Sequence, residues 1–183
     1  MTRYTPAVAV AVAVAVAIAA LSLLLASCVS APPPPPPPPP VDTTTPAQRL
    51  AAIDASGGAD DTELSVQPLR DPQVEDLRDS AKRKRTAGDL AGAAAALDQA
   101  LQLVPQDPAL LQDRAELALL LKDDAGAEAF AKRAIDLGSQ TGPLCRRHWA
   151  TIEQARLARG QKENAASAQA HIEGCTVAGI KRY

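Results

Sequence analysis

Three thiols, two imidazoles and one run of four cations are the groups in this 183-residue chain with chemistry to offer. The thiols are Cys28, Cys145 and Cys175, the imidazoles His148 and His171, and the cations are "KRKR", Lys82–Arg85. A zinc site of the usual kind would pair two neighbouring cysteines, and no such pair is present. No glycine-rich phosphate loop follows a strand-like run, and no nucleophile elbow is present. These residues argue against an enzyme, with no catalytic set, metal or cofactor expected. The cationic run reads as the solvated face of an amphipathic helix or as a binding patch. What matters is how the chain places these groups.

Cys28 closes a segment of one character. Residues 1–27 hold a single charge, Arg3, and then "PAVAVAVAVAVAIAALSLLLAS", the short basic start and apolar run of a secretory signal. The length would also allow a spanning helix. Against that, the core is weakly apolar Ala–Val alternation and ends on the small residues Ala26 and Ser27. The string "LASC" resembles the lipobox of bacterial lipoproteins. The resemblance implies cleavage before Cys28 and lipidation (palmitate) of that cysteine, so that the chain is anchored to a membrane rather than spanning it. Val29 stands where an aspartate would retain such a protein at the inner membrane. The resemblance therefore implies an outer-membrane anchor facing the periplasm.

Nine prolines follow, Pro32 to Pro40. Each fixes φ near the polyproline II value, so the run is a stiff spacer of about 28 Å at ~3.1 Å per residue. The next stretch, through "DASGGADDTELSVQPLRDPQ", lacks aromatics and sustained periodicity and reads as disordered linker. Within it, a short helix over Gln48–Asp54 is possible. The expected divisions are a signal over 1–27, a lipidated cysteine and proline-rich linker over 28–73, a repeat domain over 74–175 and a tail over 176–183.

Loss of Arg3 leaves 18 basic against 21 acidic side chains, no electrostatic footprint for nucleic acid. Aromatics are 2% of the chain, which argues against a sandwich or barrel; Ala, Leu, Gln, Glu, Arg and Lys favour helices. Two stretches align at a spacing of 34, Val74–Asp107 on Pro108–Thr141. Ala81 meets Ala115, Asp89 meets Asp123, Ala93 meets Ala127 and Ala100 meets Ala134. This period, with small residues at those places, resembles the tetratricopeptide repeat and implies an all-α fold of about three helix–turn–helix hairpins. Alanines would let paired backbones approach while Leu77, Leu97, Leu101, Leu111 and Phe130 fill the space around them. Gly88, "KDDAG" and "VPQDP" mark turns. A third unit fits only if Gly160 takes the place of Gly88 and "GPLC" is inserted before it as one extra helical turn.

That register sets Cys145 and Cys175 each 15 residues from Gly160. On two antiparallel helices joined there, both lie about 22 Å from the turn at ~1.5 Å per residue, at equal height. A disulfide between them is expected in an oxidising periplasm; the alternative is two small buried hydrophobes.

The segment "CRRHWATIEQARLARGQKENAASAQ" resembles a narrower group, tetratricopeptide outer-membrane lipoproteins of the LpoP type. Arg147, His148 and Trp149, then Ala155, Arg156, Arg159 and Gly160, carry the likeness, with His148 replacing an asparagine. The resemblance implies a monomeric regulator that binds and activates a class A penicillin-binding protein. A scaffold for a pilus, secretion or outer-membrane machine is the other reading. In the repeat family, helix A lines the groove at positions 2, 5, 9 and 12. Carried over, its polar members here are Glu75, Arg78, Lys82, Arg85, Gln112, Glu116, Arg147 and Gln154, with Leu119 and Ala150 among the apolar ones. Charge reversal at Arg78 or Arg147 is expected to weaken partner binding at unchanged melting temperature.

Overall fold

The computed structural model describes Val10 and residues 42–58, 71–138 and 140–176. Cys28 and Pro32–Pro40 lie outside the described residues. Among the described residues of Val41–Tyr183 seven helices follow one another: α1 Pro46–Ser56, α2 Pro72–Thr86, α3 Leu90–Leu103, α4 Pro108–Leu120, α5 Asp124–Leu137, α6 Gly142–Ala158 and α7 Lys162–Gly174. No strand occurs among the described residues. The fold is all-α and tetratricopeptide-like, with α2–α3, α4–α5 and α6–α7 as its three hairpins.

Aspartates start most of these helices. Asp71 accepts from the Gln73 amide at 2.8 Å, and Asp107 from the amides of Ala109 (2.8 Å) and Leu110 (3.1 Å). Pro72 and Pro108 follow, where the missing N–H has no partner to lose. Asp89 and Asp123 cap α3 and α5 through Gly92 (2.8 Å) and Gly126 (2.9 Å). A Cβ at either glycine would stand 2.1 Å from the aspartate Oδ2, so Asp-x-x-Gly is a repeated unit of the fold. α7 starts at Gln161 without a side-chain cap.

The three turns inside the hairpins are alike. The amides of Asp89, Asp123 and Gln161 each donate 2.9 Å bonds to the carbonyls of Lys84, Ala118 and Arg156, five residues back. The residue before each is left-handed: Gly88 (φ 82°), Lys122 (φ 62°) and Gly160 (φ 72°). This is the Schellman closure of helix A. Gly160 does occupy the place of Gly88, and Gly142–Cys145 form the first turn of the longer α6.

Small residues make the crossings. Ala81, Ala93, Ala100, Ala115, Ala127 and Ala134 are all buried, the last five fully. Val74, Leu97, Leu110 and Leu117 fill the first interface, with Leu77 and Leu101 partly buried beside them. Ala131, Ile135, Ile152 and Ala168 fill the last, flanked by Phe130 and Trp149. At position 8 of the third unit Glu153 replaces alanine; burial raises its pKa, partly offset by a hydrogen bond from Gln154. Cys145 and Cys175 are joined, their Cα atoms 5.7 Å apart, which ties the start of α6 to the end of α7.

The short helix allowed at Gln48–Asp54 is present and longer: residues 46–56 form α1, which is not free linker but packs on α6 and α4. Thr45 and Gln48 form a reciprocal capping box, with Pro46 in the first turn, so the helix is nucleated locally. Its only buried side chains are Arg49 and Ile53.

Candidate functional site

The inner helices of the hairpins, α2, α4 and α6, carry the residues assigned to a groove. The structure divides that groove in two. Between α2 and α4 lies an open cavity of about 310 Å³. Glu75, Arg78, Lys82, Arg85, Glu116 and Arg147 line it, six of the eight polar residues expected at a partner surface. Asp79 and Asp113 add further carboxylates, and Leu97 and Leu117 form the floor. Arg78 Nε donates to Asp113 Oδ2 at 2.5 Å, both side chains partly exposed, which holds α2 against α4.

The second part, over α4 and α6, is occupied by α1. Ile53 is fully buried in one cluster with Leu119 of α4 and Ala150 of α6, both groove positions. Arg49 Nη1 donates to the Gln154 carbonyl (3.1 Å) and to its Oε1 (3.3 Å), so Gln154 faces α1 rather than solvent. Arg146 donates to the carbonyls of Ser56 (Nε, 3.0 Å) and Gly57 (Nη2, 2.8 Å) at the end of α1. Arg147 Nη2 lies 3.0 Å from Asp54.

Beneath the junction of the two parts is a buried polar network. Glu116 is 2% exposed and accepts from Arg147 Nε at 3.1 Å and from Arg147 Nη2, with Arg85 at 3.8 Å. Gln112 Nε2 donates to Glu116 Oε1 (2.9 Å) and Thr151 Oγ1 (2.8 Å), and Thr151 donates to the Arg147 carbonyl (2.8 Å). Gln112 is thus a floor residue and not a contact surface. Burial disfavours the Arg147 charge, but Glu116, Asp54 and Asp113 outweigh it and raise its pKa.

His148 completes the network. Its Nδ1 lies 2.6 Å from Gln112 Oε1, an acceptor, so Nδ1 carries the proton. Its Nε2 is buried without a partner. Burial, with Arg147 next to it, lowers its pKa from 6.5 to about 4, which keeps the ring neutral. No group of three or more His, Cys, Asp or Glu among the described residues could hold a metal.

The motif residues beyond Trp149 lie elsewhere. Arg156 Nε donates to Glu128 Oε1 at 3.0 Å, Arg159 Nη2 donates to Glu128 Oε2, and Lys132 lies 2.8 Å from Oε1. One carboxylate on α5 therefore clamps the end of α6. Trp149 stacks on His171 of α7, centroids 4.0 Å apart. These residues tie α6 to α5 and α7, and none of them lines the cavity between α2 and α4.

Arg147 pairs with a buried carboxylate, so reversing its charge must lower stability, against the unchanged melting temperature expected for it. Sequence reasoning also missed Arg146 and α1 as groove elements. The Thr-x-x-Gln signature with proline at the first helical position, "TPAQ", was the available signal.

No family model and no curated protein sequence matches the chain. Among solved structures, it is similar to the globular C-terminal domain of P. aeruginosa LpoP, at 30% sequence identity and a TM-score of 0.55. The match covers 57% of this chain and 99% of that domain. With nearly the whole of that domain matched at this identity, the chain belongs to the LpoP family.

Proposed function

We propose that the chain is a periplasmic lipoprotein, lipidated at Cys28 and held at the outer membrane, whose repeat groove binds and activates a class A penicillin-binding protein. The observation that carries this reading is the likeness to the LpoP domain along nearly its full length. The open cavity between α2 and α4, with Arg78, Lys82 and Arg85 on one wall, supports a protein surface as ligand. Its role is regulatory and not catalytic. Among the described residues no helix is long and apolar enough to cross a membrane.

The test is glycan polymerisation by a purified class A penicillin-binding protein with the chain added. Several-fold stimulation is expected, reduced at least tenfold in affinity by Arg78→Glu combined with Lys82→Glu. Absence of stimulation, together with crosslinking in cells to a pilus or secretion subunit instead, would overturn it.

A further inference from the structure

We infer that α1 is a displaceable occupant of the groove between α4 and α6, and that the site beneath it accepts a partner helix of the same chemistry. The inference goes beyond the identity of the synthase and stands on the contacts of α1 alone.

The hold on α1 is narrow. A single aliphatic side chain, Ile53, is buried, and every other named contact is polar. Arg146 reads two carbonyls at the helix end, those of Ser56 and Gly57. Arginines at a helix C-terminus favour any helix that ends there, because the terminal carbonyls are unsatisfied and the dipole is negative. Side-chain selectivity comes from Ile53 and from Arg49 four residues earlier, with Asp54 on Arg147. The complementary partner is a short helix with Arg and a branched aliphatic residue at that spacing, followed by an acid.

Two features make the contact reversible. An 11-residue helix is too short to persist in water without its docking surface, so undocking and melting are one step. Residues 59–70 connect α1 to α2, and a short connection supplies an effective concentration of the order of millimolar, which keeps a weak contact closed. The open cavity is coupled to this contact through Arg147, which lines the cavity and also lies 3.0 Å from Asp54. An acidic group entering the cavity competes with Asp54 for that guanidinium and loosens α1.

The experiment uses a fluorescent peptide of residues 42–58 titrated onto the full chain, wild type and Ile53→Asp. The substituted chain should bind the peptide at least tenfold more tightly than the wild type, whose own α1 blocks the site. Equal affinity for the two, or binding to neither, overturns the inference. Hydrogen exchange on the unaltered wild type gives an independent readout should Ile53→Asp fail to fold. The α1 amides should exchange at least tenfold faster than the central amides of α4 and α6; protection equal to theirs overturns it. Neither assay contains a synthase, so each fails or succeeds independently of the activator reading.

Discussion

Arg147 and Glu116, 31 positions apart, form an ion pair whose carboxylate is 2% exposed while the guanidinium reaches solvent. Arg147→Ala leaves that carboxylate buried with Arg85 at 3.8 Å as its nearest cation and Gln112 as a neutral donor, and should cost about 3 kcal/mol. Arg78→Glu, at a half-exposed pair, should cost about 1 kcal/mol or less. Urea unfolding midpoints for the two substitutions test the contrast. Equal loss in both would mean that Glu116 is solvated on removal of its partner.

Stability should also depend on pH through His148. The unfolded imidazole takes a proton below 6.5, whereas the folded one does so only at about 4. Between these values the unfolded chain binds more protons, so stability is full above pH 6.5 and declines as pH falls toward 4. The loss amounts to about 3 kcal/mol, at ~1.4 kcal/mol per pH unit. His148→Asn should flatten that slope. A slope unchanged by the substitution assigns it to other groups.

Reduction of Cys145–Cys175 releases a loop of 30 residues. Chain entropy alone predicts a loss of about 3–4 kcal/mol. Thermal unfolding with and without reductant measures it, and thiol counting on the unreduced, denatured chain should find neither of these two cysteines free.

Lys122 is the one hairpin turn residue in the left-handed region that is not glycine. Lys122→Gly should raise stability by about 1 kcal/mol, since a side chain at that φ crowds the following carbonyl. Gly88→Lys should lower it by a similar amount. Urea midpoints again decide, and a destabilised Lys122→Gly would show that its side chain holds the turn.

The repeat was legible because its information is steric and local. Ala81, Ala93 and Ala100 recur at 34 residues with the aspartate caps, and Gly160 marked the third hairpin despite its four inserted residues. The first groove half was legible for the same reason, since position along helix A fixes which face Arg78, Lys82 and Arg85 occupy. Gln112 and Gln154 were not, because polarity does not tell a groove contact from a buried hydrogen-bonding partner. The short helix at Gln48–Asp54 was legible, but its docking as α1 was not, because one isoleucine and one arginine reach α4 and α6 from it and leave no periodic signal. Arg156 and Arg159 were recognised as a motif, yet their partner, Glu128, is 28 and 31 positions away and carries no local signal.

The docking of α1 has a consequence for search volume. With Cys28 as the fixed end proposed above, the first residue held on the domain is close to Thr45, 17 positions away, a span of at most about 60 Å at ~3.5 Å per residue. Once α1 is displaced, the first held residue is Asp71, 43 positions away, and the limit grows to about 150 Å. The accessible volume scales as the cube of that radius, so it rises about fifteenfold from the same contour lengths. Capturing a partner helix in the groove would therefore also lengthen the strap, converting a recognition event near one membrane into freedom to follow a moving target farther away.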